Sequence, residues 1–339
     1  MPMARITFGS TGIVIEKNGF GGLPIQRISR QEAADLLHRA VDGGINFFDT
    51  ARAYSDSEEK MGYAFRGMRD KVVIASKSGA LTGEKLTRDL DTSLKELGTD
   101  YIDIYQFHNP PFCPKPGGED GLYDAALEAK RQGKIRHIGI SNHRLPVAHE
   151  AIDSGLYETL QFPYSYLSGE KDQELVDKCR EKGMGFIAMK AMAGGLIRSG
   201  RAAAAYMETQ KNVVPIWGVQ HDWELDQFLA CVSRTPEWTE EYQQMVDRDR
   251  KELSGDFCRS CGYCMPCPVD IQINQCARMG LMLRRMPQAD YLTQYWQDEM
   301  KKVENCLHCN QCSKKCPYGL DTPRLLQENY QEYWTYFEK

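Results

Sequence analysis

Along the first 235 residues, short and nearly continuous apolar runs alternate with stretches whose apolar residues recur every three to four positions. The runs predict strands over Ile45–Ala51, Val72–Ser78, Tyr101–Asn109, Ile135–Ser141, Thr159–Tyr164, Gly185–Ala191 and Val213–Val219, with Phe20–Ile25 as an earlier, first strand. The stretches between them, such as Arg30–Asp42 and Leu86–Leu97, predict amphipathic helices. Strands apolar on both faces belong to a parallel sheet covered by helices. Eight of them in succession fit a closed (β/α)8 TIM barrel of the α/β class. An open doubly wound sheet needs only about six strands and a GxGxxG turn after the first. The glycine-rich segment Asn18–Gly22 reads NGFGG and lacks that spacing.

Beyond residue 235 the pattern changes. Glu237–Leu253 reads as a charged connecting helix, and Gln272–Arg285, Tyr291–Val303 and Thr322–Glu338 read as helical. Of twelve cysteines in the chain, nine fall between Cys258 and Cys316. The expected organisation is a barrel over 1–235, a connecting helix over 236–257 and a mostly α-helical cysteine-rich domain over 258–339.

Composition narrows the function classes. At 42% hydrophobic and 26% charged the chain is of globular type, and its net charge of −5 comes with no basic stripe, so nucleic acid is not an expected partner. No run reaches the roughly 18 apolar residues of a membrane span. The N-terminal segment lacks the apolar core of roughly 7–15 residues of a secretory signal. A cytoplasmic protein is expected. A secreted disulfide scaffold would need a much shorter chain than 339 residues.

The cysteines fall in two runs. CLHCNQCSKKCP, from Cys306 to Pro317, has the C-x2-C-x2-C-x3-C-P spacing of bacterial ferredoxins. CRSCGYCMPCP, from Cys258 to Pro268, is similar, with two residues before its last cysteine instead of three. Thiolates two residues apart can wrap one face of a cubane. Paired CxxC motifs also occur in zinc sites, which usually take two pairs about 12–20 residues apart. Here four cysteines crowd into each run, which favours iron–sulfur. In two-cluster ferredoxins the fourth cysteine of each run serves the other cluster. That resemblance implies one [4Fe–4S] cluster on Cys258, Cys261, Cys264 and Cys316, and another on Cys306, Cys309, Cys312 and Cys267. Cys276 lies outside both patterns and reads as a core residue.

Barrel enzymes keep their chemistry at the C-terminal ends of strands. Asp49, Lys77, His108, Ser141, Asn142, Gln161 and Tyr164 stand at or near such ends, and Tyr54 follows in a loop. A tyrosine beside an ammonium can act as an acid–base group, with a carboxylate steadying the lysine and a histidine orienting a carbonyl. The ammonium is expected to lower the tyrosine's pKa. FFDTARAYSDSEEKMG (Phe47–Gly62), with Asp, then Tyr five residues on, then a Ser-Glu pair, resembles the aldo/keto-reductase signature. VVIASKSG, YIDIYQFHNP, GISNH and QFPYS resemble that family's further motifs in order. The whole chain, tail included, resembles the iron–sulfur subgroup of the family.

The resemblance implies that Tyr54 is the general acid/base, tuned by Lys77 and Asp49, with His108 orienting the substrate carbonyl. It implies that Ser141, Asn142 and Gln161 hold a nicotinamide carboxamide and that Tyr164 stacks on the ring. Gly21 joins the expected cofactor-binding residues, as does Lys190, which with Arg198 is a candidate for the adenosine pocket. After the last strand, Asp222, Glu224 and Asp226 are acidic with no Lys or Arg close in sequence. Carboxylates repel a 2′-phosphate and accept from a free 2′-OH, which tilts the expectation from NADP(H) towards NAD(H). The expected function is nicotinamide-dependent interconversion of a carbonyl and an alcohol on a small molecule. The clusters are then structural or exchange electrons with a ferredoxin or other redox partner. The alternatives are an electron-transfer protein with the barrel as docking scaffold, and a sensor of oxygen or iron.

Overall fold

The computed structural model describes residues 5–253 and 256–337. Its strands are β1 (Arg5–Thr7), β2 (Val14–Glu16), β3 (Gly19–Gly21), β4 (Phe47–Asp49), β5 (Val73–Ser78), β6 (Ile102–His108), β7 (Ile135–Ser141), β8 (Thr159–Pro163), β9 (Gly185–Met189) and β10 (Val213–Gly218). β3 to β10 pair in parallel in sequence order, and β10 closes on β3 to form an eight-stranded barrel. The helices α1 (Arg30–Asp42), α2 (Ser57–Ala64), α3 (Gly83–Leu97), α4 (Leu122–Arg131), α5 (Leu145–Ser154), α6 (Glu170–Glu181), α7 (Gly200–Thr209) and α8 (Asp222–Ser233) alternate with these strands. This is the (β/α)8 architecture that the apolar pattern predicts.

Local chemistry explains the element ends. Ser29 accepts from the Glu32 amide while the Glu32 carboxylate accepts from the Ser29 amide, a capping box that starts α1. The apolar face of α1, Ala33, Ala34, Leu36, Leu37 and Ala40, is buried. Thr82 caps α3, and Gly98 ends it at φ +61°. The expected strand Phe20–Ile25 is shorter in the structure. It stops at Gly21, and Pro24–Arg27 forms a 3-10 turn, because proline there has no amide to give a ladder and favours a helical start.

The antiparallel hairpin β1–β2 was not expected from the pattern. Its strands are three residues each, too short to show a period. Phe8 and Ile15 reach from it into the barrel interior and pack with Phe47, Ala75, Ile104, Ile187 and Val214. Gly9 makes this approach possible, since a Cβ at φ +54° would lie 2.4 Å from the Gly185 amide nitrogen. Each large apolar side chain so buried contributes about 1.5–3 kcal/mol. The barrel is therefore filled at its N-terminal end, and polar side chains occupy the other.

The described residues fall into two compact units, one of Met1–Ala191 and Ser199–Gln243, the other of Met192–Arg198 and Gln244–Lys339. The division lies inside α9 (Glu240–Glu252), not at residue 235. The second unit also takes in Met192–Arg198, because arginines bind that segment's carbonyls. Arg278 donates to Gly194 O at 2.9 Å and Arg285 to Leu196 O at 2.6 Å. The unit's helices are α10 (Ile273–Cys276), α11 (Met279–Arg285), α12 (Gln294–Lys301), α13 (Gln311–Lys315) and α14 (Thr322–Trp334). The expected helix over Gln272–Arg285 is thus broken between α10 and α11. Ile271, Ile273, Met279, Leu283, Met300, Val303, Leu326 and Tyr333 form the core, and Cys276 is fully buried among them.

Candidate active site and cysteine cavities

Successive residues of a strand face opposite sides, so alternate positions share the barrel interior. Ile104, Gln106 and His108 follow one another on the same face of β6, as Ala75 and Lys77 do on β5. Lys77 pairs in register with Gln106, and His108 with Ser141. Asp49 ends β4. Across the barrel interior the side chains of Asp49, Lys77, Gln106 and Gln161 meet through hydrogen bonds.

Lys77 Nζ donates to Asp49 Oδ1 at 2.7 Å, Asp49 Oδ2 at 2.9 Å and Thr50 O at 2.8 Å. Both side chains are buried, Lys77 at 1% and Asp49 at 2% exposure. Burial pushes the Asp49 carboxyl up and the Lys77 ammonium down, and each draws the other back towards its charged form. Gln161 donates to Asp49 at 3.4 Å and accepts from Gln106 at 2.8 Å. Its amide therefore belongs to the Asp49 network. Gln106, which sequence reasoning missed, differs from the other polar residues of this layer in lying mid-strand in an apolar run.

Tyr54 stands over this pair. Lys77 Nζ is 5.1 Å from its ring centroid, and the His108 ring meets it edge-on at 5.9 Å. The Tyr54 loop is pinned from below by the Ser-Glu pair. Ser57 Oγ donates to Gly22 O at 2.9 Å and lies 2.8 Å from Thr50 Oγ1. Glu58, 1% exposed, accepts from Ser76 Oγ at 2.6 Å and is paired with Arg52. A Cβ at Gly22 would lie 2.5 Å from Met61 Cε and 2.8 Å from Asp49 O, so a bulkier residue would disturb this seat.

The expected lowering of the Tyr54 pKa is not what the structure supports. Burial, and then the Asp49 charge, push its hydroxyl above the ordinary value. The Lys77 charge is already answered by Asp49 at 2.7 Å. His108 is pushed down to about 3 by burial and by Lys77, so its imidazole is neutral at neutral pH. Tyr54 is a protonated donor and His108 a neutral one.

The other expected cofactor residues differ in availability. Ser141 Oγ is buried without a hydrogen-bond partner. Asn142 is largely engaged: its Nδ2 donates to Pro110 O at 2.9 Å, and its Oδ1 accepts the amides of His143 and Arg144, each at 2.9 Å. Tyr164 must be corrected. It is 1% exposed, its ring meets Phe186 edge-on at 5.8 Å, and its hydroxyl bonds Gln173 and Tyr206. It is locked in packing between β8 and α7 and offers no free face for stacking, whereas Met189 packs against the barrel's inner cluster. Gly21 is buried against β10, with a Cβ position 3.3 Å from Trp217 O. Lys190 follows β9 at φ +59°, unusual for a side chain larger than glycine. Its charge helps to hold the buried His143, a residue the sequence reading missed, well below the usual histidine value, after burial itself.

The acidic residues after β10 are also spent. Asp222 and Asp226 both pair with Arg39 of α1, and Glu224 accepts the amides of Gln220 and His221 at 2.7 and 2.9 Å. A cation distant in sequence thus neutralises them, and the argument for NAD(H) from their repulsion lapses. Arg198 donates to Arg285 O at 2.8 Å and Arg284 O at 3.2 Å within the second unit.

In the second unit the thiols gather around two cavities. One, of about 350 Å³, is lined by Cys258, Cys261, Cys264 and Cys316. The other, of about 400 Å³, is lined by Cys267, Cys306, Cys309 and Cys312, with Cys264 bordering it too. Among the described residues, no three Cys, His, Asp or Glu side chains converge as they would around a single ion. Also among the described residues, no helix is long and apolar enough to cross a membrane.

A closed barrel with a polar acid–base layer at its strand ends, together with two four-cysteine runs in the second unit, defines an iron–sulfur oxidoreductase. The chain belongs to the aldo/keto reductase family, which residues 6–251 match, and residues 257–321 match the 4Fe-4S dicluster domain. It is 27% identical over 269 residues to the NADH-specific methylglyoxal reductase of Escherichia coli (strain K12), spanning 70% of this chain and 80% of that protein. It is 29% identical over 212 residues to L-galactose dehydrogenase of Arabidopsis thaliana, spanning 56% of this chain and 65% of that one. An aldo-keto reductase from Klebsiella pneumoniae, solved in complex with NADPH, shares the fold with a TM-score of 0.63 at 23% identity, over 73% of this chain and 95% of that one. The protein is an aldo/keto-reductase-type oxidoreductase with a 4Fe-4S dicluster domain.

Proposed function

We propose that the protein interconverts a carbonyl and an alcohol, with Tyr54 as general acid/base. The observation that carries this is the buried Lys77–Asp49 pair beneath Tyr54, with His108 neutral beside it. The nicotinamide, when bound, supplies or accepts the hydride. Tyr54 Oη then gives its proton to the carbonyl oxygen as the alcohol forms, and takes it back in the reverse direction. An imidazole N–H of His108 orients the same oxygen. Lys77 Nζ, 5.1 Å from the ring centroid and held by Asp49, fixes the polar floor beneath the phenol. Ser141 Oγ, buried with no partner, is suited to the nicotinamide carboxamide. Arg39 beside Asp222 and Asp226 leaves both NAD(H) and NADP(H) open to the test.

Each cysteine cavity fits a [4Fe–4S] cluster. Four thiols spread around a void suit a cubane, whereas a zinc ion draws its sulfurs to about 2.3 Å from one centre. We assign Cys258, Cys261, Cys264 and Cys316 to one cluster and Cys267, Cys306, Cys309 and Cys312 to the other. Thiols kept for such clusters suit a reducing cytoplasm. The clusters are structural or serve a ferredoxin or similar partner. Exposure of Cys309 and of the adjacent Leu307, 64% exposed, favours the second role, because an external donor can reach that edge.

The test is made on anaerobically purified protein. Iron and sulfide are measured, EPR spectra are recorded with and without NADH or NADPH, and nucleotide oxidation is followed with a panel of aldehydes, ketones and sugars. About eight irons per chain are expected, together with turnover of at least one carbonyl. Full iron with no turnover would overturn the carbonyl reading and leave electron transfer by the clusters.

A further inference from the structure

Arg278, between α10 and α11, is 1% exposed and is the largest fully buried side chain among the described residues. Its Nη2 donates to Gly194 O at 2.9 Å and to Met282 Sδ at 3.0 Å, and its Nε has no partner. Gly194 makes room for it, since a Cβ there would lie 3.0 Å from Nη1 at a φ of +65°. Among the described residues Arg278 makes no ion pair, and Cys258 Sγ lies 3.9 Å from Asn274 O, about one helical turn before it along the chain. Arg285 shows the contrast. It is also buried, but is paired with Asp249 and Glu252, each at 2.5 Å. A buried cation without a counter-charge costs several kcal/mol, so Arg278 calls for an anion that the protein's carboxylates do not provide.

We propose that Arg278 is the counter-cation of the cluster on Cys258, Cys261, Cys264 and Cys316, and that it raises that cluster's reduction potential above its neighbour's. The inference rests on the reading that both cavities hold clusters. A cubane on four thiolates carries net negative charge and gains one more on reduction, so a nearby cation favours the reduced form. Arg259 adds to this. It lines the same cavity, with its guanidinium 4.5 Å from the Tyr318 ring centroid. The lining of the other cavity contains no charged side chain. His308, Lys314 and Lys315 are near it in sequence but are exposed, and solvent screens them. Electrons entering at the exposed edge around Cys309 would therefore run downhill to the buried cluster.

The experiment is an EPR-monitored redox titration of the full-length holoprotein and its Arg278→Met and Arg278→Lys variants, with iron content measured on each. In Arg278→Met one midpoint should move to lower potential and the other stay. The shift should be on the order of tenfold or more in the reduced-to-oxidised ratio at fixed potential, about 59 mV for one electron. Arg278→Lys should recover most of it. Two unmoved midpoints in a fully loaded Arg278→Met protein would overturn the proposal. Should Arg278→Met fail to load iron, Arg259→Gln provides the reading: a smaller fall in the same single midpoint supports the proposal, and no change overturns it. Wild-type protein without two cluster signals would instead refute the cluster reading itself.

Discussion

Replacing Tyr54 by Phe removes one oxygen and little else. Among the described residues nothing hydrogen-bonds the Tyr54 hydroxyl, so no buried partner is orphaned. The ring keeps its edge-on contact with His108 at 5.9 Å and its place 5.1 Å from Lys77 Nζ. The stability change should therefore stay within about 0.5 kcal/mol. The proton donor, by contrast, is lost. General acid catalysis contributes about 10²- to 10⁴-fold, equal to roughly 3–5 kcal/mol of transition-state stabilisation. Burial and Asp49 push this hydroxyl up, so the wild-type group is protonated and ready at neutral pH without a prior titration. The assay is steady-state nucleotide oxidation with the best carbonyl substrate, alongside iron content and thermal unfolding. kcat should fall by about two to four orders of magnitude, with KM for the nucleotide, iron content and unfolding temperature unchanged. A Tyr54→Phe protein that keeps half of the wild-type kcat would refute the assignment of Tyr54 as the acid.

Lys77→Met should cost about 3–5 kcal/mol in denaturant unfolding, because it leaves the Asp49 carboxylate buried and unpaired; the double change with Asp49→Asn should recover part of that loss. Ser141→Ala should leave stability nearly unchanged, since its hydroxyl has no protein partner, and raise the nucleotide KM about three- to tenfold, the worth of one hydrogen bond. His108 has a folded-state value of about 3 against an ordinary 6.5. Between these, the unfolded chain binds the extra proton, so stability falls as pH drops through that window. His108→Gln should show a shallower acid loss than wild type in urea titrations at stepped pH. Cys316→Ser and Cys267→Ser should each abolish a different one of the two cluster signals, with about four irons lost at most; loss of the same signal in both would refute the crossed ligand sets.

The order of strands and helices was legible because a parallel barrel writes itself locally. Each buried strand is a continuous apolar run and each covering helix an amphipathic one. The cysteine runs were legible for a similar reason, as a cubane takes most of its ligands from one short loop. Asp49, Lys77 and His108 could be found because each stands at or near the end of a readable strand. What depends on which way a side chain points, or on a partner far along the chain, was not legible. Tyr164 directly follows a strand, near its end like the others, yet it faces the helix layer and Tyr206. Asp222 and Asp226 look like a negative patch until α1 brings Arg39 beside them. Gln106 looks like an interruption in a strand until the closed barrel brings its amide against that of Gln161. Arg278 is one basic residue among many until packing seals it from solvent without a carboxylate. Sequence periodicity records which residues are buried along an element, because burial repeats with the backbone's own geometry. Pairing, neutralisation and the direction of a pKa shift depend on distances between elements and on the loss of water around them, and only the folded chain decides those.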